Sequence, residues 1–181
     1  MTDLRTRFEQ EVLPHLDAAY ALARWLARSS AAAEDVVQDA LLLAFKNFAS
    51  QRGPSTKAWL LAIVRNAHLS AVRRQAPKDR LTDPLEAVGD GPAPAALVSS
   101  ADPERHAIAA DDARTLEAAL GQLSEEFREV LVLRELEGLS YREIASVAAV
   151  PIGTVMSRLA RARQLLKASW LGRGGSDDAL S

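Results

Sequence analysis

A chain of 181 residues and 19.5 kDa has room for one medium domain or two small ones. With 48% hydrophobic and 25% charged residues, its composition excludes a fully disordered or collagen-like chain. The absence of cysteine excludes disulfides, a thiol nucleophile and thiolate metal sites, and His15, His68 and His106 lack ligand spacing, so neither metal nor cofactor is expected. No apolar run approaches the roughly 20 residues of a membrane helix, and the first residues lack a signal-peptide pattern. These features predict a soluble, cytoplasmic protein without membrane insertion.

The elements read as helix in chain order. Leu4 to Arg28 carries an apolar stripe at Phe8, Val12, Leu16, Ala19 and Ala23, with Pro14 kinking or dividing it. Ala32 to about Phe48 follows, with Val36, Val37, Ala40, Leu41, Ala44, Phe45 and Phe48 expected inward, and residues 50–55 break the chain. A third helix, Thr56 to about Gln75, is expected to bury Trp59, Leu60, Ile63, Ala67 and Val72. Residues 76–103 hold five of the eight prolines and net negative charge, and read as a linker. Helix resumes at Asp102-Pro103-Glu104 and runs to about Leu120; another begins at Ser124 and stops at Gly138. The fold class expected is all-α. Two small helical domains, 1–75 and 104–171, are joined by a flexible acidic linker, with a frayed tail over 172–181.

The net charge of −2 hides a strong asymmetry. Residues 40–78 contain seven cations and no acid; residues 144–176 contain five cations and no acid. The remaining residues therefore carry −14. One such run is ordinarily a solvated helix face. Two, each on an expected helix within an acidic frame, are the footprint of two contacts to one polyanion.

The C-terminal run has the plan of a DNA reader. Ser140 and Glu143 form the ends of a capping box that opens a short helix burying Ile144, Ala145 and Ala148. Val150-Pro151-Ile152-Gly153 breaks it, and a longer basic helix runs from about Thr154 to Trp170. Val155, Leu159, Ala162 and Leu166 form its inward stripe, while Thr154, Ser157, Arg158 and Arg161 fall on the other side. Arginine there pairs bidentately with guanine, and Arg163 and Lys167 lie further along, suited to phosphates.

The segments 34–41 (Glu-Asp-Val-Val-Gln-Asp-Ala-Leu), 57–66, 139–145 and 151–163 together resemble the extracytoplasmic-function sigma factors, the small bacterial sigma subunits built of region two and region four. The resemblance covers residues 8–75 and 104–168. It implies a helical bundle for region two and a helix-turn-helix for region four. It implies that Asp35, Gln38, Asp39, Leu42 and Phe45 contact the β′ clamp helices of core RNA polymerase, with the β flap as a second polymerase contact. A solvated acidic face is what the residues alone would give. It implies minus-ten recognition by Arg52, Lys57, Arg65, Asn66, Arg73 and Arg74, and minus-thirty-five recognition by Thr154, Ser157, Arg158, Arg161, Arg163 and Lys167. Trp59, on an inward stripe, is expected in the core rather than as a base-stacking platform. Met156 stands where many members carry arginine. The partners implied are core polymerase, promoter DNA and an anti-sigma factor, and the factor itself is not an enzyme. A sigma mimic that sequesters an anti-sigma protein, an autonomous helix-turn-helix regulator and a small helical enzyme are the rivals. The mimic has no need of DNA-reading arginines, the regulator leaves the first basic run unexplained, and no nucleophile-base set or Gly-rich phosphate loop serves the enzyme.

Overall fold

A computed structural model describes residues 3–51, 53–75 and 116–174, with side chains to Ser169. The described residues are helical, without strands. The first half comprises α1 (Leu4–Glu11), a 3₁₀ turn (Leu13–His15), α2 (Leu16–Ala27), α3 (Ser30–Asn47), a 3₁₀ turn (Phe48–Ser50) and α4 (Thr56–Gln75). The second comprises a helical stretch α5 (residues 116–121), α6 (Glu125–Leu131), which widens into a π turn (Val132–Leu136), α7 (Tyr141–Ala148) and α8 (Ile152–Gly174). The expected linker 76–103 and the start of the following helix lie outside the described residues, as do Arg52 and residues 175–181. The last helix extends through Gly174, past the expected boundary at Trp170.

Pro14 divides the first helical run as expected, because proline offers no amide for the α-helical ladder. Phe8 packs edge-on against Phe45 and Phe48 at 5.1 and 5.4 Å between centroids, closing α1 onto α3. Trp59 is half-buried, 6.3 Å from Phe48, and packs against the core. Phe45 is 43% exposed, so it lies at the rim of the core rather than within it. Ser55 opens α4, its Oγ accepting from the Ala58 amide at 3.1 Å.

α4 departs most from expectation. Val72 is 47% exposed and Ile63 only half-buried, whereas Ala58, Leu60, Leu61, Val64, Ala67 and His68 are buried. The single inward stripe becomes a broad face because α4 packs on α2 and α3 on one side and on α7 on the other. α2 likewise meets α6, and the buried apolar residues of both halves form one continuous cluster. Burial of apolar surface on both sides of α4 therefore holds the halves together.

In the second half, the first carbonyls of the π turn, those of Val132 and Leu133, accept from the Glu137 and Leu139 amides, and Gly138 adopts φ +68°, which glycine reaches without a Cβ clash. Arg134 fixes this corner, donating to the Leu139 carbonyl at 2.7 Å while lying 5.0 Å from the Tyr141 ring centre. The Ser140–Glu143 capping box is present in both directions, at 3.3 Å to Ser140 Oγ and 2.8 Å to Glu143 Oε2. Ala149 in the left-handed region ends α7, and the axis turns by 100° into α8. No single described helix is long and apolar enough to cross a membrane.

Candidate nucleic-acid and polymerase interfaces

α8 sorts its faces as its sequence dictates. Val155, Leu159 and Ala162 are fully buried against α6 and α7, and Leu166 is half-buried. Ser157, Arg161, Arg163 and Lys167 are exposed, and Thr154 is half-buried. Arg158 turns back toward α6: its side chain is 18% exposed, with Nη2 3.1 Å from Glu126 Oε2. Arg163 is held by Glu135 at 2.6 and 3.2 Å, and these hydrogen bonds raise its pKa above the ordinary arginine value. Arg161 donates to Gln164 at 3.5 Å.

On α4 the expected DNA contacts meet carboxylates across the two halves. Lys57 Nζ lies 2.9 Å from Glu137 Oε2 and donates to the Glu137 carbonyl at 2.8 Å. Arg65 Nε donates to Glu129 Oε1 at 2.5 Å, and both side chains are largely buried. Buried His68 turns Nε2 to 3.3 Å from Glu125 Oε1, without hydrogen-bond geometry. Asn66, Arg73 and Arg74 remain on the exposed side. Arg74 reaches back to Asp39 on α3 at 3.2 Å, and Arg73 donates to the Leu69 carbonyl.

The sequence reading missed two residues that organise this junction. Arg128 is buried and donates to three carbonyls: Leu120 at 3.1 Å, Leu123 at 2.8 Å and Trp25, at the end of α2, at 2.9 Å. Burial, with Arg28 nearby, lowers its pKa from the ordinary arginine value. Glu129, its neighbour, has its pKa raised because burial outweighs the opposing effect of Arg65. The readable signal was the density of acids at 125–137, where Glu125, Glu126, Glu129, Glu135 and Glu137 fall opposite acid-free helices.

α3 presents the third surface. Asp35, Gln38 and Asp39 are exposed, and Leu42 (62%) and Phe45 continue the same face. Between this helix and α4 runs an open groove of about 400 Å³ whose lining includes Asp35, Asp39, His68 and Arg74. Among the described residues, no group of three histidines or carboxylates is placed to hold a metal ion.

Residues 12–77 match the family model of Sigma-70 region 2, and residues 113–166 match Sigma-70, region 4. The chain is 34% identical over 176 residues to the ECF RNA polymerase sigma factor SigE of Mycolicibacterium smegmatis, covering 96% of this chain and 65% of that protein. It is 33% identical over 151 residues to the ECF RNA polymerase sigma-E factor of Haemophilus influenzae, covering 81% of this chain and 77% of that one. The chain belongs to the extracytoplasmic-function sigma factors. Among solved structures, this sigma factor resembles the sigma factor RpoE of Bartonella quintana, crystallised with the anti-sigma factor NepR. That likeness has a TM-score of 0.74 and 32% identity, over 91% of this chain and 96% of that one. The family matches put α3 and α4 in region two, and α6, α7 and most of α8 in region four.

Proposed function

We propose that this sigma factor binds core RNA polymerase, directs it to promoters and helps open the duplex there, acting in the cytoplasm and catalysing no reaction itself. The observation that carries the reading is the pair of acid-free basic helices, α4 and α8, one in the part that matches region two and the other in the part that matches region four. α8 enters the major groove at the minus-thirty-five element, with Thr154, Ser157, Arg158 and Arg161 toward bases and Arg163 and Lys167 toward phosphates. Lys57, Arg65, Asn66, Arg73 and Arg74, with Arg52 before them, take the minus-ten strand once it is unpaired. Asp35, Gln38, Asp39, Leu42 and Phe45 dock on the β′ clamp helices, and region four meets the β flap.

Lys57 and Arg65 are occupied by glutamates of the other half, so use of α4 on DNA requires those pairs to exchange. The packed arrangement is then the resting form, and polymerase binding separates the halves. An anti-sigma factor that clasps both halves would hold them together; the similar sigma factor RpoE was crystallised with the anti-sigma factor NepR. Run-off transcription from a genomic promoter library with bacterial core polymerase tests the reading. Transcripts that depend on this chain, from promoters sharing two spaced elements, are expected. DNA binding without polymerase binding would replace the reading with an autonomous helix-turn-helix regulator.

A further inference from the structure

The outward face of α8 is not wholly polar. Ile152 (44% exposed) and Met156 (53% exposed) stand four residues apart at its beginning, with exposed Ala160 one further turn along. These residues form an apolar strip beside Ser157 and Arg161. The approach to the strip is open, since a Cβ placed on Gly153 meets nothing within 4 Å. α8 contains no acidic residue, so on this helix the strip is flanked by Ser157 and Arg161 and by no carboxylate. A partner that suits this surface is polyanionic yet presents an apolar group a few ångströms inside its charged rim. The major groove of duplex DNA meets both requirements, and its apolar group is the C5-methyl of thymine.

We propose that Met156 is a specificity-determining residue that reads a thymine methyl group in the upstream promoter element, with Ile152 lining the same contact. The assignment rests on the reading of α8 as the helix that enters that element. Methionine suits the task, being unbranched and polarizable, and able to follow a methyl group without a fixed hydrogen-bond direction. Ser157 and Arg161 flank it and supply the polar contacts that set register.

The test uses the full chain assembled with core polymerase and an upstream element selected from a randomised duplex. Each thymine of the selected element is replaced in turn by deoxyuridine, which removes the methyl and leaves base pairing intact. At one position, methyl loss is expected to weaken binding of the unaltered chain about fourfold, the worth of one buried methyl group. Met156→Ala, at an exposed position, is expected to fold normally and to bind the two duplexes equally. Uracil tolerated at every thymine, or a methyl effect that survives Met156→Ala, overturns the assignment while leaving region-four recognition intact. So does a Met156→Ala variant that loses a protein partner but keeps the whole uracil series. Failure of the randomised pool to yield any element overturns both the assignment and the reading beneath it.

Discussion

The two basic helices have the same charge pattern and opposite circumstances. On α4, Lys57 and Arg65 are matched by Glu137 and Glu129 of the other half, within a largely dry junction. On α8, Arg158 and Arg163 are matched by Glu126 and Glu135 of their own half, and Ser157, Arg161 and Lys167 face outward. A surface ion pair contributes little and exchanges readily for a phosphate. A buried one exchanges only when its surroundings come apart. On the proposed reading, Ser157, Arg161 and Lys167 of α8 are presented to duplex DNA as they stand, whereas Lys57 and Arg65 of α4 are sheltered until the halves separate. That difference matches the order in which a promoter is bound and then opened.

Reversing charge inside the junction breaks the comparison most directly. Glu129→Lys sets a second cation against Arg65 and is expected to cost about 3 kcal/mol or more of inter-half packing. Donor and acceptor dyes on the two halves should report separation, with helix content retained by circular dichroism. An unchanged distance would mean that apolar contacts alone hold the halves. Glu129→Gln probes the same pair through its pH dependence, because burial disfavours the ionised carboxylate there. With its folded pKa raised, Glu129 contributes stability that is fully present below the ordinary glutamate value of about 4.3 and is lost as pH rises through the raised value. The uncharged variant lacks that decline, so its melting temperature should gain on the unaltered chain as pH rises toward neutrality.

Arg128→Met keeps much of the buried volume but strands the carbonyls of Leu120, Leu123 and Trp25. A loss of about 2–3 kcal/mol in denaturant unfolding is expected. Since one carbonyl belongs to α2, hydrogen exchange should also quicken at the end of that helix. Slower on the scale comes Arg158→Ala, on the exposed helix. It should weaken upstream-element binding by about 1–3 kcal/mol on the preferred sequence alone, if Arg158 leaves Glu126 for guanine. Equal weakening on every duplex would make it a phosphate contact.

Much of this was legible in the sequence wherever the information is local. The Pro14 break, the Ser140 capping box, the turn at Val150-Pro151 and the Val155–Leu159–Ala162 stripe each depend on neighbours a few residues away, and each is present. The burial of α4 was not legible, because periodicity describes a helix with one covered face and α4 has two. The same gap explains the cations. Counting charge put Lys57 and Arg65 in a run suited to a polyanion, and the family resemblance implied the minus-ten strand, whereas spacing along the chain contains no sign that Glu137 and Glu129 lie opposite them, 80 and 64 residues away. Complementary runs on separate helices fit an intramolecular partner as well as an external one.

The smallest effect belongs to the capping box, and it gives the comparison a control that is local to region four. Ser140→Ala removes the hydroxyl that accepts from the Glu143 amide and is expected to cost about 1 kcal/mol at neutral pH. The Ser140 backbone amide, then its hydroxyl, holds the Glu143 carboxyl below the ordinary glutamate value. A depressed folded pKa contributes stability that is present above about 4.3 and lost as pH falls through the depressed value. The gap between Ser140→Ala and the unaltered chain should therefore narrow on acidification, in thermal melts taken across that range. Glu129 and Glu143, fourteen residues apart in the same half, thus give opposite pH slopes, because one is buried and the other is hydrogen-bonded at an accessible helix start. If both slopes had the same sign, the junction around Glu129 would be open to water, and the contrast between a sheltered α4 and a presented α8 would fall with it.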